Sequence, residues 1–286
     1  MTRAVLLALA LLLLAPAAGG ARSPELVRVG TYLTNSLDAR GCAAEPGGAP
    51  SANLTAWAAL GLVAAGRSAS AAAGCIASRS GELRSATDVQ IAILALVAAG
   101  RDPRRAGGRN LTTLLTRQLR GGRIGPTVAS NQFGILALRA LGRRVPAAAR
   151  ATLLRDQNPD GSWPVAPGGD GDSNLTASGI AAAVAAGVPR SDPRIRRALR
   201  ALRRFRTADG GYALTRGARS DAQSTAWVIQ GLAAAGRRDA AAEAHLRRLA
   251  RSDGSIAYQR GVPITPVWVS AQAAIGLARR PFPLVP

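Results

Sequence analysis

Six apolar runs of similar length recur along the 286-residue chain, and no other feature limits its fold as much. They are SANLTAWAALGLVAAG (51–66), SATDVQIAILALVAAG (85–100), TVASNQFGILALRALG (127–142), DSNLTASGIAAAVAAG (172–187), DAQSTAWVIQGLAAAG (221–236) and PVWVSAQAAIGLARRP (266–281). Their last positions lie 34, 42, 45, 49 and 45 residues apart, a period that marks a repeat architecture. The first five runs end in glycine, which suits a left-handed helix C-cap. The sixth ends at Pro281, which cannot continue a helix. Five residues before the last position stand Gly61, Ala95, Ala137, Ala182, Gly231 and Gly276; eight before it stand Ala58, Ala92, Gly134, Gly179, Val228 and Ala273. These positions share one helix face, and its small residues let helices approach closely. Helices apolar nearly all round belong inside a protein.

Amphipathic segments separate the runs. The clearest spans Ser191 to Arg206. Ser191 or Asp192 can cap it, and Pro193 suits its first turn. Ile195, Leu199, Leu202 and Phe205 form an apolar stripe, and six arginines fill most of the remaining surface. Similar outer segments cover about 24–38, 69–79, 109–119, 145–157 and 238–251. Six outer and six inner helices then alternate, and sequential pairs pack as neighbours. The pattern predicts an all-α fold, an α/α toroid or (α/α)6 barrel of six hairpins; an open solenoid is the alternative. Closure removes the exposed end repeats that a solenoid must cap. Composition agrees: 48% hydrophobic residues with only 3% aromatics, rich in Ala, Leu and Arg, favour helices over a sandwich.

Residues 1–21 read as a signal peptide, with Arg3 as the positive start, Val5 to Leu14 as the apolar stretch, and cleavage sites at Ala15-x-Ala17 and Gly19-x-Ala21. A retained N-terminal anchor is the alternative. Residues 22–286 form the single domain. Export predicts a disulfide between Cys42 and Cys75, the two cysteines of the chain; two free thiols are the alternative. The net charge is +21, and every basic residue is arginine. Such a balance points to nucleic acid or an anionic surface, while GC-rich coding yields the same composition. Export excludes nucleic acid as a partner, places the protein outside the cytoplasm or in the cell envelope, and leaves anionic envelope polymers or lipids. No segment after the signal peptide is long and apolar enough to span a membrane.

Gln157-Asn158-Pro159-Asp160-Gly161-Ser162-Trp163 fits the Q-x-x-D-G-S-W repeat, with weaker copies at Asp209-Gly210-Gly211-Tyr212 and Asp253-Gly254-Ser255. On these motifs the chain resembles the terpene cyclase and protein prenyltransferase superfamily, squalene cyclase-type repeats above all, and also the helical domain of cobalamin carriers. The resemblance implies an α/α toroid over residues 24–281. The motif supports the turn between an outer helix and the next inner one: Asp160-Gly161 supplies the turn, and Gln157 and Trp163 tie it to its neighbours.

The same resemblance sets tests for chemistry. Class II terpene cyclases protonate an alkene with the central acid of D-x-D-D, followed by T-A. Aligned on Thr176-Ala177, the donor position holds Asn174; aligned on Thr225-Ala226, it holds Gln223. An amide supplies no strong acid proton, so an acid would have to come from Asp170 or Asp172. A prenyltransferase zinc site lacks its ligands, because the one histidine, His245, sits in a basic outer segment and reads as a surface residue. A thioester Cys-Gly-Glu-Gln is absent, and glycoside hydrolysis requires paired carboxylates, for which Asp88, Asp172 and Asp221 are candidates that also suit helix starts. The reading is therefore an exported, non-catalytic toroid without cofactor or metal. It binds a small apolar ligand in the ring, or a partner on its loops, through Trp57, Asp88, Asp172, Asn174, Thr176, Asp221, Gln223, Thr225, Trp227 and Trp268. Phe133 completes the short list of rings near the centre, and Asn53 occupies the position equivalent to Asn174. The alternatives are a small cyclase using Asp170 or Asp172, and an arginine-coated structural protein of the envelope.

Overall fold

A computed structural model describes residues 23–284; the expected signal peptide lies outside them. Twelve α-helices alternate between two layers among these residues. The inner helices are α2 (Ala52–Ala64), α4 (Ala86–Ala98), α6 (Val128–Ala140), α8 (Ser173–Ala185), α10 (Ala222–Ala234) and α12 (Pro266–Leu277). The outer ones are α1 (Pro24–Asn35), α3 (Ser70–Ser78), α5 (Leu111–Arg117), α7 (Ala147–Arg155), α9 (Pro193–Leu202) and α11 (Ala240–Arg248). Each inner helix packs on the next, and α12 packs on α2, so the ring closes as an α/α toroid and the open solenoid is excluded. Among the described residues no helix is long and apolar enough to cross a membrane.

The small face explains the close packing. A Cβ on Gly61 would meet the Ala271 Cα at 2.8 Å, one on Gly231 the Ala177 Cα at 2.8 Å, and one on Gly276 the Ala226 Cα at 2.9 Å. Three ring contacts therefore bring backbone against backbone. Gly66, Gly100, Gly142, Gly187 and Gly236 hold φ between 67° and 86°, as left-handed caps require. The sixth run departs from its expected end. Its body keeps the repeat register, but α12 stops at Leu277 and Arg279 takes the left-handed place at φ 52°, two residues before Pro281.

Five inner helices are capped by Ser51, Ser85, Thr127, Asp172 and Asp221, each accepting a backbone N–H three residues on. The sixth is capped from elsewhere. Thr265 has φ 39° and makes no side-chain cap; instead the Glu45 carboxylate, at the other end of the chain, accepts the Val267 and Trp268 N–H groups at 2.9 and 2.8 Å. The Cys42–Cys75 disulfide, with Cα atoms 5.3 Å apart, ties the loop after α1 to α3.

Candidate functional site

Five of the six loops that enter the inner helices follow one rule, the loop before α4 being the exception. A glycine turns the chain, and two residues later a buried residue donates its N–H to a polar side chain in the first turn or so of the inner helix. Ala43 donates to Thr55 (2.9 Å), Ile124 to Asn131 (3.1 Å), Trp163 to Thr176 (3.0 Å), Tyr212 to Thr225 (2.9 Å) and Ile256 to Ser270 (2.8 Å). Thr176 and Thr225 are fully buried, and their hydroxyls also donate back to the Asp172 and Asp221 carbonyls. Both threonines hold their entry loops against the inner helices. Only three of these turns carry the Asp-Gly signature, at Gly161, Gly210 and Gly254, so Thr55 and Asn131 escaped notice, as did Ser270 although its turn is marked; a polar residue eleven positions before the end of five of the six runs was the available signal.

The Q-x-x-D-G-S-W turn is the most elaborate copy. Gln157 Nε2 donates to the Gly161 and Arg194 carbonyls, both at 3.0 Å, joining the loop to the first turn of α9. Gly161 has φ 93°, and a Cβ there would meet the Arg197 carbonyl carbon at 2.5 Å. Trp163 is fully buried, donates Nε1 to the Leu153 carbonyl at 2.8 Å, and rests its ring against Gly179. Asp160 feels burial, which alone raises a carboxyl pKa, but hydrogen bonds from Ser162 and the nearby Arg216 and Arg204 win and hold it low.

The ring centre is aromatic. Trp57, Phe133 and Trp227 occupy equivalent mid-helix positions on α2, α6 and α10. Trp57 stands edge-on to Phe133 at 6.3 Å and to Trp227 at 6.0 Å, with Trp268 at 5.6 Å. A further ring comes from the segment after α12: Phe282 lies 6.4 Å from Trp57 and 5.9 Å from Trp227. Phe282 and Leu284 are buried, so the tail turns back into the ring from the C-terminal ends of the inner helices. Phe282 was not anticipated, because it belongs to no repeat. A few polar groups share this interior. Trp227 Nε1 donates to Gln272 at 3.0 Å, the Ser178 hydroxyl donates to Gln132, and both amide atoms of buried Gln230 have no partner.

The opposite mouth carries the acidic and amide candidates. Asn53, Asp88, Asn174, Gln223 and Trp268 are half-buried in the first turns of their helices. Asp88 sits at the third helical position, accepting the Ser85 N–H at 3.0 Å and Asn53 Nδ2 at 2.8 Å. Asp172 accepts the Leu175 N–H at 2.7 Å, and Asp221 accepts the Ser224 N–H at 2.6 Å. Burial raises the pKa of both carboxyls despite these bonds. All three acids thus serve their own helix starts. Asp170 lies exposed in the loop before α8.

His245 differs from its expected surface position. It is buried, its ring is packed against Gly211, and its Nδ1 lies 3.6 Å from Asp209. Burial lowers its pKa, with Asp209 opposing. Among the described residues no three His, Cys, Asp or Glu side chains cluster so as to hold a metal ion.

The squalene-hopene cyclase N-terminal domain family matches residues 134–216, a span that includes α8, α9 and the Q-x-x-D-G-S-W turn. No curated protein sequence matches the chain. Among solved structures, the apo type II terpene cyclase MstE from Scytonema superposes with a TM-score of 0.69 at 16% identity, over 89% of this chain and 96% of that one. A variant of the same cyclase in complex with its substrate, geranylgeranyl dihydroxybenzoate, gives 0.69 at 17% identity, with the same coverage. A wild-type glycosidase gives 0.61 at 19% identity, over 93% of this chain and all of the other. At such identities these likenesses speak for the fold alone. The closed ring and its turns make the chain an α/α toroid, the fold it shares with these type II terpene cyclase structures, and the squalene-hopene cyclase match lies within it at residues 134–216.

Proposed function

We propose that this chain is an exported, non-catalytic toroid that binds a small apolar ligand of the prenyl type at its aromatic centre. The observation that carries the reading is the cluster of Trp57, Phe133, Trp227 and Trp268 on facing inner helices. Such rings offer an apolar surface with a negative face to a polyene. The geranylgeranyl-bearing ligand of the MstE complex supports the ligand class, and the amides Asn174 and Gln223, at the positions of the cyclase acid, support binding without protonation. Phe282 stands where such a ligand would touch Trp57 and Trp227, so binding requires the tail to move aside. The Cys42–Cys75 bridge and the apolar Val5–Leu14 stretch support export.

Titration with geranylgeraniol tests the proposal, because three of the four tryptophans stand at the site. Saturable quenching of their fluorescence is expected, weakened in Trp227→Leu. Absence of saturable quenching, together with native mass spectra that show no bound prenyl alcohol, would refute it.

One observation favours a second reading. Burial raises the pKa of Asp172, and a cyclase acid must be protonated before it acts. Incubation with a linear polyprenoid separates the two readings. Asp172→Asn keeps an N-cap oxygen and removes the acid. Cyclic product from the natural chain that disappears in this variant would establish catalysis and overturn the binding role.

A further inference from the structure

Where α9 passes the C-terminal end of α10, six arginines surround one cavity of about 650 Å3. Arg196, Arg200 and Arg203 come from α9 and its short extension, Arg206 follows them, and Arg237 and Arg238 come from the turn between α10 and α11. All six are exposed. Three have partners: Arg196 donates to the Ser191 carbonyl, Arg206 pairs with Asp239 at 3.1 Å, and Arg238 pairs with Glu243 at 2.9 Å. Arg200, Arg203 and Arg237 make no side-chain hydrogen bond or ion pair among the described residues.

The lining holds a single carboxylate, Asp239. Its oxygens are already engaged, accepting the Tyr212 hydroxyl at 2.8 Å and the Ala241 and Ala242 N–H groups at 3.1 Å, in addition to Arg206. Three guanidinium groups from two separate elements thus converge on one concavity with no protein anion left to neutralise them. Like charges gathered in this way raise the local positive potential and draw in an anion of high charge. A guanidinium presents a planar fork of donors that fits phosphate oxygens in pairs. Leu199, Leu202 and Tyr212 give the cavity an apolar floor, which accepts an organic substituent on such an anion.

We propose that this groove binds a compact oligophosphate, a short run of linked phosphate groups or an ester of one. A bounded cavity favours a compact anion over an extended polymer, which would be served as well by the arginines elsewhere on the surface. The site lies in the outer layer and stands or falls independently of the aromatic ring centre.

Calorimetric titration with tripolyphosphate tests the groove. The triple variant Arg200→Gln, Arg203→Gln, Arg237→Gln is expected to bind ~30-fold more weakly or worse, since it loses three charge-assisted donors. A control triple, Arg84→Gln, Arg101→Gln, Arg150→Gln, removes the same charge from exposed, unpaired arginines elsewhere. It is expected to lose less than ~3-fold, the screened long-range part alone. All six positions are exposed, and unchanged melting curves confirm that both variants fold. Equal losses in the two triples would reduce the effect to overall charge and overturn the proposal. So would a natural chain that does not bind tripolyphosphate, or one that prefers a heparin oligosaccharide and loses that preference in the groove triple.

Discussion

Single residues in this toroid act through close approach and burial. Gly276 stands against the backbone of α10, and a side chain there has no direction in which to yield. Gly276→Val is expected to cost ~2 kcal/mol or more as overpacking, read from urea midpoints. Gly74, inside α3, has nothing within 4 Å of its missing Cβ. Gly74→Ala should therefore stabilise by ~0.5–1 kcal/mol through helix propensity. The two glycines look alike in sequence and are expected to change stability in opposite directions. His245 supplies the pH response. Burial holds its pKa below the ordinary value, so the unfolded chain takes up its proton at a higher pH than the folded one. Its contribution is complete above the unfolded pKa of about 6.5 and declines as pH falls through that value toward the folded one. Urea midpoints measured between about pH 7 and pH 5 should fall in the natural chain, and less steeply in His245→Gln. Asp209, beside it, titrates far lower: burial alone would raise it, but hydrogen bonds from Ser220, Thr207 and the Gly211 N–H hold it at about 2. It contributes nothing to that window.

At the scale of the element, helices were legible in the sequence and their connections only in part. The inner helices announce themselves by apolar run, capping residue and terminal glycine, and they begin and end within two residues of the expected bounds except for α12. Its shorter end follows from Arg279 adopting the left-handed turn that glycine adopts elsewhere, a choice that local propensity disfavours. The entry turns were legible where an Asp-Gly pair marked them. They were illegible at Gly41 and Gly122, where the same geometry rests on a lone glycine and a distant polar side chain. The cap on α12 had no local signature either, because Glu45 supplies it across the ring seam. Glu45→Ala removes the acceptor for two backbone N–H groups at the junction of first and last repeats. A loss of ~1–3 kcal/mol is expected, with hydrogen-exchange protection falling first at the start of α12. Reduction of the Cys42–Cys75 bridge, which constrains the neighbouring seam loop, should cost ~3 kcal/mol more in the chain-entropy account.

At the scale of the whole molecule, closure brings together residues that no window of sequence contains. Trp57, Phe133 and Trp227 were identifiable as central because each sits nine residues before its repeat ends. The fifth ring of the cluster, which Trp268 also joins, was not, because Phe282 follows the last repeat and shows its role only once the ring has closed and the tail has turned inward. The centre is consequently both a core and a candidate site, and one substitution separates the two functions. Phe282→Ala removes a buried ring that contacts Trp57 and Trp227. As a core change it should cost ~3–5 kcal/mol, with the higher figure where the surrounding rings cannot relax. As a site change it should open an apolar cavity lined by indoles, which a prenyl alcohol can enter without first displacing the tail. A chain in which Phe282 is only packing would lose stability and gain no affinity. If the ring is a binding site, the same variant loses stability yet binds geranylgeraniol more tightly than the natural chain. Saturating ligand should then restore much of the lost melting temperature, since a ligand that binds only the folded state stabilises it in proportion to the logarithm of its occupancy ratio.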